Sequence, residues 1–132
     1  MKHYPITAEI KSHFLRLYQI ALSDEEFSAR EMQLLYGFAE ERNISRKELD
    51  DILIGHRGEV TIPQTIEKRI EYLYDFAVMI WADEVITDDE LNTLKKYCRK
   101  FEFLDENIED LSNYLLDCAK QGMNKEEILK EL

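Results

Sequence analysis

Sliding the chain against itself by 83 − 24 = 59 positions lays one half on the other, and this constrains the fold more than any other feature. Asp24 falls on Asp83, Glu25 on Glu84, Phe27 on Ile86, Ser28 on Thr87 and Glu31 on Glu90. Further along, Leu35 meets Leu94, Phe38 meets Tyr97, Ala39 meets Cys98, Ile44 meets Phe103, Leu49 meets Ile108 and Ile52 meets Leu111. Apolar residues meet apolar residues and helix-start residues meet helix-start residues. Such a register predicts a duplicated helix-loop-helix unit, in which each copy buries its stripe and an approximate two-fold axis relates the copies.

The spacing within each copy is helical. Ile10, Phe14, Leu17 and Ala21 recur at intervals of three and four, as do Met32, Leu35, Phe38 and Ala39, with Leu49, Ile52 and Leu53 forming a shorter third stripe. Ile66, Ile70, Leu73, Ala77 and Ile80 line a long fourth helix, Leu91, Leu94, Cys98 and Phe101 a fifth, and Ile108, Leu111, Leu115 and Cys118 a sixth. Ser28-x-x-Glu31, Ser45-x-x-Glu48, Thr61-x-x-Gln64, Thr87-x-x-Glu90 and Asn124-x-x-Glu127 carry the capping box or a variant of it, in which side chains satisfy the orphan N–H groups of a helix start. Both prolines stand where helices are predicted to begin, with Pro63 in the first turn of the fourth. The expected fold is all-α: a compact bundle of six to seven helices in one domain. Repeat 1 covers about 7–54, a linker about 55–62, repeat 2 about 63–120 and a short C-terminal helix about 124–132.

Charge narrows the partners. Lys plus Arg number 17 against 28 Asp plus Glu, a formal net charge of −11, which repels phosphate backbones and anionic lipid headgroups. Cations, or basic and amphipathic protein surfaces, are the expected partners. No apolar run approaches the roughly 18 residues needed to cross a bilayer, and Met1-Lys2-His3-Tyr4-Pro5 has no signal-peptide character, so the expected address is cytoplasmic. Cys98 and Cys118 stand on apolar stripes outside any CxxC or Cys/His cluster and read as buried thiols.

The acidic loops are where chemistry could reside. The second reads Trp81-Ala82-Asp83-Glu84-Val85-Ile86-Thr87-Asp88-Asp89-Glu90-Leu91 after a helix ending Tyr72-Leu73-Tyr74-Asp75-Phe76-Ala77-Val78-Met79-Ile80. The first reads Ala21-Leu22-Ser23-Asp24-Glu25-Glu26-Phe27-Ser28-Ala29-Arg30-Glu31. From about residue 10 to 120 the layout resembles the TerB-like family, named for a tellurite-resistance protein, whose loop runs Ala-Asp-Gly, about two residues, then a cap and a Glu. The resemblance implies an all-helical fold and, in some members, a divalent-cation site made by acidic loop residues of both halves. By position those residues are Asp24, Glu31, Asp83 and Glu90. Two departures stand out: Glu25 and Glu84 replace the family's glycine, where a positive φ would strain a glutamate, and Ser23 replaces the alanine of the first loop.

Independently of the family, several carboxylates brought together suit a hard cation such as Ca2+ or Mg2+. Against that reading, Glu31 and Glu90 are accounted for as caps, and Asp88 and Asp89 as first-turn anions favoured by the helix dipole. An EF-hand is excluded on spacing, because counting from Asp83 puts Asp88 at position 6 and Leu94 at position 12. His56-Arg57, between Gly55 and Gly58, reads as a helix stop with a solvated pair, the rival reading being an anion cradle. His13 has no second His or Cys at ligand spacing.

No nucleophile motif, P-loop or dinucleotide fingerprint is present, so the expected role is non-enzymatic: a divalent-cation-binding scaffold or stress-response module. The alternatives are a cation-independent interaction domain that binds a basic or amphipathic helix through acidic and aromatic surface, and, more remotely, a metal-assisted hydrolase.

Overall fold

A computed structural model describes residues 8–22, 27–41, 43–55, 62–82 and 84–131. These form seven helices: α1 (Ala8–Leu22), α2 (Ala29–Glu41), α3 (Arg46–Gly55), α4 (Ile66–Trp81), α5 (Asp88–Lys100), α6 (Asp105–Gln121) and α7 (Lys125–Glu131). No strand occurs among the described residues, as the period of three to four in the apolar residues demands. The helices fall into two compact units, an N-terminal one within Pro5–Thr61 and a C-terminal one within Ile62–Leu132.

In the N-terminal unit α1 packs against α2 and α3. Among the described residues its buried apolar side chains are Phe14, Leu17, Tyr18, Ile20 and Ala21 of α1, Leu35, Phe38 and Ala39 of α2, and Leu49 of α3, with Phe27 and Ile44 closing the loops. Tyr18 meets Tyr36 edge-on with centroids 5.8 Å apart, and the Arg46 guanidinium sits over the Tyr36 ring. Burial, followed by the neighbouring Tyr36, raises the Tyr18 phenol above its ordinary pKa.

In the C-terminal unit α4 packs on α5 and α6, α5 packs on α6, and α7 lies against α4. Leu73, Phe76, Ala77 and Ile80 of α4 meet Leu94, Tyr97, Cys98 and Phe101 from α5 and its end, and Leu115 of α6 completes the centre. Phe76 and Tyr97 pack edge to face at 5.3 Å. Arg69 ties the start of α4 to the end of α5: Nε donates to the Pro63 carbonyl (2.7 Å), Nη1 donates to the Phe101 carbonyl (3.0 Å), and Nη2 lies 3.6 Å from Glu102. One side chain thereby satisfies a terminal carbonyl of α5 that has no acceptor role within the helix.

Most helix starts expected from the sequence are used. Ser28, Ser45, Thr87 and Asn124 each accept a backbone N–H from the residue three further on, at 2.9–3.2 Å. The fourth helix departs from expectation. Its N-cap is Thr65, which is extended and accepts the Lys68 N–H at 3.1 Å; Pro63 lies before the helix, and Thr61 lies outside the described residues. Thr65-x-x-Lys68 has no acid at the third helical position, so a search for capping boxes passes over it. Ile66, expected in the core stripe, is instead exposed, because a first-turn side chain points back beyond the helix end and away from the packed turns.

Helix limits recur at one offset. α1 and α4 end at Leu22 and Trp81 (81 − 22 = 59), α2 and α5 both start and end 59 residues apart (88 − 29, 100 − 41), and α3 and α6 start 59 apart (105 − 46). Asn43 and Glu102 share this offset (102 − 43 = 59) and both take a left-handed backbone, φ 59° and 68°. The following N–H groups also bond alike, Ile44 to the Ala39 carbonyl at 2.9 Å and Phe103 to the Cys98 carbonyl at 3.1 Å.

Candidate functional site

Of the four residues singled out in the acidic loops, Asp24 and Asp83 lie outside the described residues, and Glu31 and Glu90 lie inside them. Glu31 closes a complete capping box at the start of α2. Its Oε1 accepts the Ser28 backbone N–H at 3.0 Å and the Ser28 hydroxyl at 2.9 Å, while the Glu31 N–H donates to Ser28 Oγ at 3.2 Å. Glu90 repeats the arrangement at α5, its Oε1 accepting from Thr87 N at 2.8 Å and its N–H donating to Thr87 Oγ1 at 3.2 Å.

These two glutamates differ from the other capping acids in exposure. Glu31 is 5% and Glu90 6% exposed, whereas the Glu48 side chain retains 37% and Glu127 is exposed. The same sequence pattern thus yields two kinds of cap, one solvated and one out of water. A buried carboxylate requires compensation; here cap N–H groups and the positive end of a helix dipole provide part of it.

The backbone after Asp83 is shaped for a tight turn. Glu84 takes φ 59°, and its N–H donates to the Trp81 carbonyl at 2.8 Å. Left-handed backbone is costly for a residue with a Cβ. The expectation that a glutamate here would occupy a strained, glycine-like position is met at Glu84, while Glu25 lies outside the described residues. Val85, next in line, is exposed, and Ile86 turns back toward the unit before Thr87 caps α5.

Other expected features fall as follows. His56, Arg57 and Gly58 lie outside the described residues, and Gly55 is the last residue of α3. His13 is buried. Cys98 and Cys118 are buried and unpaired with each other; burial pushes the Cys98 thiol up to about 11, even though the Ser112 hydroxyl 3.7 Å away opposes the shift. Such a thiol is protonated near neutrality and is a poor nucleophile or metal ligand. No aromatic ring is exposed among the described residues; Trp81 is half covered and carries the Lys120 ammonium 5.3 Å from its ring.

One charged residue escaped the sequence reading. Asp75 lies mid-helix in α4 at 2% exposure, ion-paired to Lys125 of α7 at 2.7 and 2.9 Å through its two carboxylate oxygens. Its neighbour Tyr74 donates its hydroxyl to the Met123 carbonyl, and burial above all raises that phenol to about 12. A signal was available: Asp75 is the single charged residue between Tyr72 and Trp81, and a lone carboxylate in an apolar helix needs a partner when buried.

No helix among the described residues is long and apolar enough to cross a membrane. No protein-family model, curated protein or solved structure matches the chain.

Proposed function

We propose that the chain is a TerB-like, non-enzymatic module built from two duplicated helical units, and that its acidic-loop residues Asp24, Glu31, Asp83 and Glu90 are ligands for divalent cations of the Ca2+ or Mg2+ class. The duplication is supported by helix limits, caps and left-handed turn residues that recur at one offset of 59 residues. Chance would scatter such features.

The observation that carries the cation reading is Glu84. Its left-handed backbone is what a glycine after the loop aspartate provides without strain, which supports reading this loop as TerB-like. The buried glutamates support the same reading. In each loop the Asp is followed seven residues later by a carboxylate held out of water (31 − 24 and 90 − 83) and oriented by its cap, a type of ligand that hard cations take.

Titration with Ca2+ or Mg2+ while following the melting temperature tests this, since a ligand bound only by the folded state raises it. At a hundred times Kd the gain is about 2.7 kcal/mol, or roughly 8 °C for a chain of this size. Asp83→Asn and Asp24→Asn are expected to reduce the shift. An unchanged melting temperature for the natural chain, or equal shifts in both variants, overturns the site.

A further inference from the structure

α7 has seven residues, fewer than the roughly 12 at which an isolated helix becomes even marginal in water. It therefore depends on what it touches. It joins α6 through Gly122, Met123 and Asn124, and Gly122 closes α6 in the left-handed conformation, φ 69°, with its N–H on the Ala119 carbonyl at 3.1 Å and that of Met123 on the Cys118 carbonyl at 3.1 Å. That closure completes α6 without any help from α7. Asn124 and Glu127 likewise cap α7 from within, Asn124 Nδ2 donating to Glu127 Oε1 at 3.0 Å and Glu127 N donating to Asn124 Oδ1 at 2.9 Å. Two finished helices thus meet at a three-residue joint.

The hold of α7 on the rest of its unit is concentrated on one strip of α4. Ile128, 1% exposed, and Leu129 lie over Ile70, Glu71 and Tyr74. Lys125 pairs with Asp75, and the Tyr74 hydroxyl reaches the Met123 carbonyl. The centre of the unit, at Leu73, Phe76, Leu94, Tyr97 and Leu115, is built from α4, α5 and α6. Removing α7 would leave that centre intact and uncover a strip holding Ile70 and Tyr74.

We propose that α7 is a releasable strap, which swings away as one piece about Gly122–Asn124 while α4, α5 and α6 stay packed, baring Ile70 and Tyr74 of α4. The inference is independent of the cation reading. Contacts made by a single strip hold a segment less firmly than a shared core does, and proteins open first where buried apolar contacts are few.

Hydrogen exchange of the full chain, followed amide by amide, tests the strap. After correction for intrinsic rates, the amides of Ile128, Leu129, Lys130 and Glu131 are expected to share one protection factor, at least tenfold below that of Leu73–Ala77. They should also show a weaker dependence on denaturant, because less surface is exposed in the opening. Lys125→Met, which keeps the aliphatic stem and removes the charge, is expected to accelerate α7 at least a further fivefold and leave α4 unchanged. Equal protection and equal denaturant dependence in α7 and α4 overturn the proposal, as does Lys125→Met accelerating both helices alike. Rates graded from Glu131 inward also overturn it, because they describe fraying in place of a joint at Gly122. The measurement on the natural chain decides the matter even if the variant does not fold.

Discussion

The turn between α2 and α3 and the turn between α5 and α6 follow the same backbone path with different residues. Both place a left-handed residue two before the helix-capping position, Asn43 in one and Glu102 in the other. Asparagine tolerates that conformation well and glutamate does not. Both then present an apolar residue, Ile44 buried in the first and Phe103 half-buried in the second. At the N-cap the first turn has Ser45, which accepts the Glu48 N–H at 3.1 Å; the second has Leu104, 62% exposed and making no side-chain cap. The first turn is specified by its own residues. The second is imposed from outside, by Phe101 buried in the core and by Arg69 holding the Phe101 carbonyl. Two turns can share a shape although only one of them carries the local signals for it, when packing supplies what the other lacks.

The comparison can be sharpened by removing the anchors. Phe101→Ala is expected to cost about 3–5 kcal/mol and Ile44→Ala about 2–5 kcal/mol, measured by denaturant unfolding. Phe103→Ala should cost clearly less than Phe101→Ala, since its ring is only half buried. A Phe103 effect equal to that of Phe101 would break the claim that the second turn is held by the core residue.

Exchanging the local signals should have smaller, opposite effects. Ser45→Ala removes a working cap and is expected to destabilise by about 1 kcal/mol, while Leu104→Ser supplies a missing one and is expected to stabilise by about as much. In the same direction, Glu102→Asn is expected to gain about 0.5 kcal/mol in thermal unfolding. Relief of left-handed strain there outweighs the exposed 3.6 Å ion pair with Arg69, because such pairs contribute little. Loss of stability in Leu104→Ser would show that the exposed leucine has work the isolated chain does not reveal.

The smallest effect concerns charge at the first turn. Lys11 hydrogen-bonds Glu48, and this contact, then the Ser45 N–H, holds the Glu48 carboxyl below its ordinary value. A depressed folded pKa contributes stability that is fully present above the ordinary glutamate value of about 4.3 and is lost as pH falls from there through the folded value. Lys11→Met is therefore expected to flatten slightly the fall in stability below about pH 4.3, and to do so less at high salt, since the pair is partly exposed.

The redox state of the chain should leave the two units unaffected. Cys98 and Cys118 are buried, so both are expected to resist alkylation at pH 8 in the folded protein and to react once it is denatured.

By itself the sequence determined the all-helical class, the apolar stripes of α1, α2, α4, α5 and α6 and four of the helix starts, because these depend on periodicity and on side chains that bond backbone within three residues; of the α3 stripe, the side chains of Ile52 and Leu53 lie outside the described ones. The strain at Glu84 was legible only through the resemblance to the TerB-like loop, which has glycine there, since only a residue without a Cβ enters the left-handed region freely. Only the tertiary structure decided which of four similar caps lie out of water: Glu31, Glu48, Glu90 and Glu127 share one local pattern, and what separates them is packing. It moved the start of α4 to Thr65, exposed Ile66 and gave Asp75 its partner 50 residues away in Lys125. Local patterns are legible because neighbours in the chain are neighbours in space; burial and ion pairing depend on residues that only the fold brings near.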